Sequence, residues 1–354
     1  MADFAKKISD LAGITIAQGA SDLHLREGIR PAVRVSGALT PLLQEGVLAR
    51  EDMQGIIEVL LTPAQKKRFD ESQEIDFSYS AGEGGRFRGN SYVERGRLGV
   101  ALRLIPRVIR SIAELSLPQQ IENFAGREQG FFLVVGPVGQ GKTTTLAALI
   151  EKINNERAEH IITIEDPIEY IFENKKSLID QREVRTDTRD FMSALQSVFR
   201  QDVDVLMIGE MRTPETMAAA VTAAETGHLV FSTLHTNNAV QTIDRIIDSF
   251  PALQQEQIRV QLAGSLAGIF SQRLVPRISG GLIPAYELML NTPAVSNLIR
   301  ERRTHEIQTL IETGAEEGMV DINRSLAELV RSGQVSVESA YSRSLNPKLL
   351  ERLL

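Results

Sequence analysis

The chain has 354 residues, of which 42% are hydrophobic and 24% are charged, and its formal net charge is −7. This length allows two domains with separate cores, and the negative charge gives no general attraction to nucleic acid or anionic lipid. The chain has no cysteine, which excludes disulfides and cysteine-bound zinc and suits a reducing cytosol.

The first third of the chain predicts a small mixed domain. Apolar residues recur three or four apart from Phe4 to Ile14 and indicate an amphipathic helix, and a second helix is expected at about Arg50 to Leu61. Alternation of apolar and polar residues predicts strands in SDLHLREG, PAVRVSGAL, EIDFSYS, GRFRGNSYVER and GVALRLI. We expect an α+β domain over residues 1–106 and a linker over residues 107–118.

From residue 119 onward, short apolar strands alternate with longer helical patterns. The predicted strands are FFLVV, HIITIE, VDVLMIG and HLVFSTLH. Such alternation is typical of a parallel sheet covered by helices, and ligands in these sheets bind beyond the carboxyl ends of the strands. We therefore expect an α/β domain over residues 119–354 that ends in helices. No apolar run approaches the roughly 20 residues of a membrane helix, so any membrane contact should go through a partner.

A glycine-rich loop connects the first of these strands to a helix and matches G-x-x-x-x-G-K-[ST]. Its backbone N–H groups would surround phosphates, Lys142 would reach the β and γ oxygens, and the Thr143 hydroxyl would bind Mg²⁺. A strand before and a helix after the loop are what this function requires. The predicted nucleotide-binding residues here are Gly136, Pro137, Val138, Gly139, Gln140, Gly141, Lys142, Thr143 and Thr144.

Acidic residues follow two further strands. Glu165 and Asp166 end HIITIE, and Glu210 follows VDVLMIG, with Gly209 where an aspartate is usual. A carboxylate at such a position can hold Mg²⁺ through water or align the attacking water. One such acid alone is more often a solvated loop residue, but two of them after a phosphate-binding loop in one sheet favour a catalytic role.

Two histidines bracket the last predicted strand. His228 and His235 are seven residues apart, which on an extended chain is roughly 20–24 Å. The two histidines therefore cannot both contact the same phosphate. His235, at the carboxyl end, is favoured as the γ-phosphate sensor, and His228 would face a neighbouring element or subunit.

Taken together, these motifs resemble the secretion-type hexameric ATPases, most closely the PilT family, which retracts type IV pili. ASDLHL with RPAVRVSGAL looks like the family's N-terminal signature, and GPVGQGKTTT like its Walker A motif. TIEDPIEY is similar to its Asp box, LMIGEMR to its atypical Walker B motif and TAAETGHLVFSTLHT to its His box. NTPAVSNLIRERRTHEIQTLIETG resembles its force-coupling C-terminal stretch.

The resemblance implies a PAS-like first domain and a RecA-like second domain. It implies a homohexamer with ATP and Mg²⁺ held between one subunit's RecA-like domain and its neighbour's N-terminal domain. By family role, Glu165 would act on the attacking water and Glu210 on Mg²⁺ through water. Asp166 and His228 would join the nucleotide-binding residues with their motifs.

The resemblance also implies that the neighbouring subunit supplies arginines in trans. Arg88, Arg95 and Arg103 lie on or beside the last predicted strands of the first domain. An arginine that stabilises charge on the transferred phosphoryl group can raise the rate by about 10³–10⁵. The alternative is that these arginines only solvate an exposed sheet face.

The chain departs from the family pattern at three positions. Val138 and Gln140 replace the usual threonine and serine of the loop, and Ser296 replaces an arginine in AVSNLI. A backbone cradle needs neither loop side chain, so phosphate binding should survive, whereas Ser296 changes the force-coupling stretch.

Several functions are consistent with these motifs. The first is a cytoplasmic retraction motor at the pilus base, acting on an inner-membrane platform protein, alone or as an accessory PilU-like paralogue. The second is an extension or secretion ATPase, which would carry a further N-terminal domain and a four-cysteine zinc insertion. The third, a nucleic-acid translocase, would need basic or aromatic strand-tracking loops, whereas this chain has 5% aromatic residues and no tryptophan.

Overall fold

The computed structural model of the protein describes residues 3–35, 37–82, 85–105 and 108–354. It divides into two compact units, Met1–Val108 with Glu169–Ile171 and Ile109–Ile168 with Phe172–Leu354. The predicted end of the first domain at residue 106 and the predicted start of the linker at residue 107 lie outside the described residues. In the described ranges, no helix combines the length and apolar character needed to cross a membrane.

The first unit combines helices with an antiparallel sheet whose strand order is β3-β2-β1-β6-β5-β4. Every strand predicted from alternation in this unit is found, but PAVRVSGAL contains residues of two strands, Ala32–Val35 and Ala38–Pro41, rather than one. The elements are α1 (Phe4–Ala17), β1 (Asp22–Arg26), β2 (Ala32–Val35), β3 (Ala38–Pro41), α2 (Arg50–Leu60), α3 (Pro63–Ser72), β4 (Glu74–Ser80), β5 (Arg86–Glu94) and β6 (Arg97–Ile105).

Helix α3 is an element that the sequence analysis did not predict. Pro63 follows the predicted second helix and occupies the first turn of α3, where proline lacks an N–H that the helix would not use. The Thr62 side chain accepts from the Gln65 N–H, and the Gln65 side chain accepts from the Thr62 N–H. This capping box begins a new helix with only two residues between it and the end of α2.

The second unit contains a largely parallel sheet, helices that alternate with its strands, and a group of helices at the C-terminal end. Its elements are α4 (Glu122–Ala125), β7 (Gly130–Val135), α5 (Lys142–Glu156), β8 (His160–Glu165), β9 (Leu178–Glu183), α6 (Phe191–Val198), β10 (Val205–Ile208), α7 (Pro214–Glu225), β11 (Leu229–Leu234), α8 (Ala239–Asp248), α9 (Ala252–Ser265), β12 (Leu266–Pro276), β13 (Leu282–Leu290), α10 (Pro293–Arg300), α11 (Ile307–Thr313), α12 (Ile322–Arg331), α13 (Val337–Arg343) and α14 (Pro347–Leu353).

The strand order of this sheet is β13-β12-β7-β11-β10-β8-β9. All neighbours pair in parallel except β13, which runs antiparallel to β12. The four parallel strands predicted from the sequence are confirmed as β7, β8, β10 and β11. Their carboxyl ends meet at one edge, because β11 pairs with both β7 and β10 and β10 also pairs with β8. The loops at that edge carry the candidate catalytic residues.

Candidate active site

The loop between β7 and α5 is shaped for phosphate. Strand β7 is buried along its whole length, and the chain leaves it at Gly136 with φ 147°. A Cβ at Gly136 would lie 2.4 Å from the Gln272 carbonyl oxygen, so no larger residue fits. Helix α5 then begins after Gly141 without a side-chain cap. A helix start of this kind presents backbone N–H groups and a partial positive charge to an anion.

Lys142 is folded into the loop that precedes it. The residue is only 7% exposed. Its ammonium donates to the carbonyl oxygens of Gly136, at 2.8 Å, and Pro137, at 2.9 Å. It also lies 3.2 Å from Nδ1 of His235. The cation is therefore held above the loop, in reach of any phosphate bound there.

The other predicted loop residues have different surroundings. Val138 is 79% exposed. The Gln140 side-chain oxygen accepts from the Leu274 N–H at 2.7 Å, and its backbone carbonyl accepts from Gln272 Nε2 at 2.7 Å. Gln140 thus anchors the loop to β12, a role that the sequence analysis did not assign to it.

The acidic residues follow β8 and β10 at adjacent positions. Glu165 is 3% exposed and accepts from Thr163 Oγ1 at 2.7 Å and Gln181 Nε2 at 3.2 Å. Asp166 pairs with Arg185 at 3.5 Å. Because both carboxylates face polar partners at the sheet edge, they can orient water or a cation there.

Gly209, found where an aspartate is usual, lies against the end of β8. A Cβ at this position would be 3.3 Å from the Ile164 carbonyl oxygen, which also accepts from the Gly209 N–H at 2.8 Å. The two strand ends approach closely here, so a larger residue would need a small shift of the end of β8, and Gly209 itself lies against Glu165.

Glu210 and His235 extend the polar chain that starts at Lys142. One Glu210 oxygen lies 2.5 Å from Arg212 Nη2 and the other 3.9 Å from His235 Nε2. Burial, and then the charge of Lys142, lower the pKa of His235, and Glu210 opposes them. A neutral imidazole accepts from Lys142 at Nδ1, and Glu210 lies near the other ring nitrogen, beyond hydrogen-bond distance.

His228 lies at the other end of β11. Its Nδ1 is 2.9 Å from the Ala223 carbonyl oxygen, and its ring packs edge-on against Phe199 at 5.8 Å. The structure does not bring His228 to the loop of its own subunit, because the whole of β11 separates it from His235.

The three arginines of the first unit fall into two places. Arg88 and Arg103 are cross-strand neighbours on β5 and β6, and both are exposed. Arg103 also pairs with Asp22 at 2.9 Å. Arg95 lies in the turn between these strands, with a φ of 51° and a side chain that is 90% exposed. The structure therefore groups Arg88 with Arg103 and separates Arg95 from them.

A cavity of about 520 Å³ adjoins the start of α5. Thr144 and Gly141 line one side of it, and Leu274 and Gly280 line the region around the end of β12. The segment predicted as linker supplies further lining residues, Arg110, Glu114, Leu115, Ser116 and Leu117. The Arg277 guanidinium donates to Ser116 Oγ at 2.7 Å and joins this segment to the sheet. The sequence analysis treated the segment as a connector and missed its place beside the phosphate loop.

Comparison with known proteins identifies the family. The family model of type II/IV secretion system proteins matches residues 5–281. The chain belongs to the type II/IV secretion system protein family. The type IV pilus retraction ATPase PilT of Pseudomonas aeruginosa is 41% identical over 96% of this chain and 99% of its own length. The type IV pilus ATPase PilU of the same organism is 38% identical over 94% of this chain and 87% of its own length.

A solved structure agrees with these relatives. The crystal structure of the pilus retraction motor PilT with bound ADP matches with a TM-score of 0.92 and 43% identity, over 98% of this chain and 99% of the other. The predicted fold class, an N-terminal domain followed by a RecA-like ATPase domain, is confirmed. The predictions of a PilT-type retraction ATPase and of ATP hydrolysis are confirmed as well.

As a PilT-type ATPase, the chain has residues that fit Mg²⁺ and a nucleotide. The glycine cradle at Gly136 and the uncapped start of α5 suit phosphate oxygens. Among the described residues, no group of three or more His, Cys, Asp or Glu side chains could hold a metal. Mg²⁺ in phosphoryl transfer takes one or two protein oxygens, phosphate oxygens and water. Thr143, in the first turn of α5, and Glu210 would hold the ion.

Proposed function

We propose that this chain assembles as a homohexamer that hydrolyses Mg-ATP at the seams between subunits and so powers the retraction of type IV pili. The observation that supports this most directly is the contact of Lys142 with His235, and of His235 with Glu210, at the sheet edge that carries the phosphate loop. The proposed phosphate sensor, the phosphate-binding cation and an acid thereby lie together at one edge of the sheet.

Residues of the chain divide the work of hydrolysis. Lys142 and the backbone N–H groups of the loop bind and orient the β- and γ-phosphates, and Glu165 orients the attacking water. Mg²⁺, when bound at Thr143 and through water at Glu210, supplies charge neutralisation for phosphoryl transfer. His235 distinguishes a γ-phosphate from its absence, because it contacts Lys142 directly. Asp166, which pairs with Arg185, adds a second carboxylate next to Glu165 at the edge of the sheet.

The nucleoside would occupy the cavity beside α5. Its volume of about 520 Å³ is within the range of ligand pockets. Thr144 and Gly141 line it next to the phosphate loop, and Arg110 and Glu114 line it from the connecting segment. The base would therefore contact the connecting segment, which leads directly to the first unit. Binding of a nucleotide would then change the conformation of that segment.

The neighbouring subunit would complete the site. Arg88 and Arg103, adjacent and exposed on one face of the N-terminal sheet, are the candidates for arginines that act in trans, and Arg95 is the third. His228 would face an adjacent subunit. Because ATP would contact two subunits at once, its binding and hydrolysis would change their relative orientation. Around a ring, this change would move a central partner stepwise.

We propose that the partner is an inner-membrane platform protein at the pilus base and that the ring works in the cytoplasm. An accessory role beside a second retraction ATPase is the alternative. Ser296 is the residue that bears on this alternative. Its side chain is buried, and its Oγ donates to the Ala263 carbonyl oxygen at 2.7 Å. It therefore ties α10 to α9 where the family pattern has an arginine.

A lysine substitution tests the site. Lys142→Ala should lower ATP turnover by at least about 10²-fold, because a charge-stabilising donor is lost from the reacting phosphate. Lys348→Ala, which removes an exposed lysine of α14, is the matched control and should leave turnover unchanged. Parental turnover by purified Lys142→Ala protein would show that the site assignment is wrong.

In cells, deletion of the gene should give many pili without surface motility, whereas bald cells would indicate an extension motor.

A further inference from the structure

Consecutive residues of β12 hold two different loops of the active site. Gln272 and Leu274 contact the phosphate loop: Gln272 Nε2 donates to the Gln140 carbonyl oxygen, and the Leu274 N–H donates to Gln140 Oε1, both at 2.7 Å. Gln272 Oε1 also accepts from Thr145 Oγ1 at 2.7 Å. Since side chains alternate between the two faces of a strand, the side chains of Ser271 and Arg273 lie on the opposite face of β12 from that of Gln272.

Ser271 and Arg273 hold the segment His235–Asn238, which we call the sensor loop. Ser271 Oγ donates to the Asn237 carbonyl oxygen at 2.8 Å. Arg273 Nη2 donates to Asn237 Oδ1 at 3.1 Å. A third contact comes from β13, where Glu287 lies opposite Ser271 in the strand register. Its Oε1 accepts from the N–H of Ala239, the first residue of α8, at 2.8 Å.

Ser271 and Arg273 therefore hold the sensor loop itself and Glu287 holds the residue that follows it, and we call these three contacts the clamp. Glu287 is 1% exposed, and burial raises the pKa of its carboxyl to about 7, with the hydrogen bond from the Ala239 N–H opposing the shift. Burying a carboxyl group is costly. The start of α8 already has a side-chain cap, because Asn238 Oδ1 accepts from the Gln241 N–H. Asn238 therefore satisfies the Gln241 N–H, and Glu287 satisfies a different donor of the same first turn, the Ala239 N–H.

We propose that Glu287 is a positioning residue for ATP hydrolysis, which acts through the clamp to hold His235 against Lys142. The strand β12 fixes the phosphate loop on one face and the sensor loop on the other, so the 3.2 Å separation of Lys142 Nζ and His235 Nδ1 depends on the clamp. The inference rests on the role of His235 in the proposed function. Misplacement of a catalytic group by about 1 Å can lower the rate by about 10²-fold.

The test measures kcat, KM and ADP affinity of purified full-length rings. Glu287→Ala should lower kcat by about 10–100-fold with ADP affinity unchanged, because the phosphate loop keeps its own contacts to Gln272 and Leu274. Glu287→Gln keeps an oxygen that accepts from Ala239 and should retain near-parental kcat. Glu328→Ala, the loss of an exposed carboxylate on α12, is the control for charge removal. If the thermal midpoint of Glu287→Ala falls while kcat per folded ring stays parental, the role is purely structural and the proposal is wrong.

A double-mutant cycle tests whether Glu287 acts through His235. If it does, adding Glu287→Ala to His235→Ala should lower kcat little further, since residues that act as a unit are not additive. An equal loss in both backgrounds would overturn the inference. Failure of the proposed function itself would appear differently, as parental turnover in Lys142→Ala. Should Glu287→Ala not fold, Ser271→Ala removes one clamp contact and should lower kcat in the same direction, again only when His235 is present.

Discussion

At the scale of single residues, two glycines of the phosphate loop have backbones that require glycine for different reasons. A Cβ at Gly136 would lie 2.4 Å from the Gln272 backbone oxygen, whereas at Gly139, with φ 75°, no heavy atom lies within 4 Å. Gly136→Ala should therefore displace the loop from β12 and abolish ADP binding. Gly139→Ala should cost only the roughly 1–2 kcal/mol of a left-handed alanine. Calorimetric titration with ADP checks this, and equal affinity of the two variants would contradict it.

The Glu287 carboxyl group predicts a dependence of stability on pH. Its pKa is about 7 in the folded chain, against 4.5 for the ordinary side chain. Between these values the folded state binds more protons than the unfolded state, so this group's contribution to the unfolding free energy falls as pH rises from about 4.5 to 7. Glu287→Gln removes the titration. Relative to the parent, this variant should gain on the order of 1–3 kcal/mol between pH 5 and pH 8, measured by denaturant unfolding. A pH-independent difference would contradict the shifted pKa.

Residues that belong to short motifs could be placed at the site from the sequence alone, but their contacts in the folded chain could not be predicted. The strand–loop–helix pattern placed Lys142 and Thr143, and the strand ends placed Glu165 and Glu210. The pairing of Glu210 with Arg212 at 2.5 Å and the anchoring of Gln140 to β12 depend on tertiary packing. The GEMR sequence contained a signal for the first, because a cation two residues after an acid can fold back on it. The sequence contained no signal for the second.

At the scale of elements, the hydrophobic pattern predicted the central strands and missed the hairpin of β12 and β13. Strands β7, β8, β10 and β11 are short apolar runs at helix–strand intervals, a pattern that predicts buried parallel strands. Strand β12 follows α9 without a break, and the sequence analysis predicted no strand there. Its strand conformation comes from pairing with β7 and β13, which single-sequence patterns do not contain. The clamp on the sensor loop was therefore invisible from the sequence.

At the scale of the whole molecule, the family and the fold class followed from motif order, whereas the proposed seam depends on a second subunit. The N-terminal sheet presents Arg88 beside Arg103, and Arg95 lies at the turn between the same strands. Alternation along β5 and β6 could predict that the first two share a face. It could not tell whether that face meets solvent or a neighbour's nucleotide, because both require the same exposed, polar surface.

Complementation between two inactive variants decides this question. One variant is Lys142→Ala, and the other carries Arg88→Ala with Arg103→Ala, which should lower turnover by about 10³-fold or more if these arginines act on the transferred phosphoryl group. If they act in trans, mixed rings contain seams where an intact phosphate loop meets intact arginines, so ATPase activity should return on mixing. Arg95→Ala in place of the double variant distinguishes the turn from the sheet face. Mixtures that form rings yet stay inactive would mean that the arginines serve their own subunit, because then every subunit carries a defect.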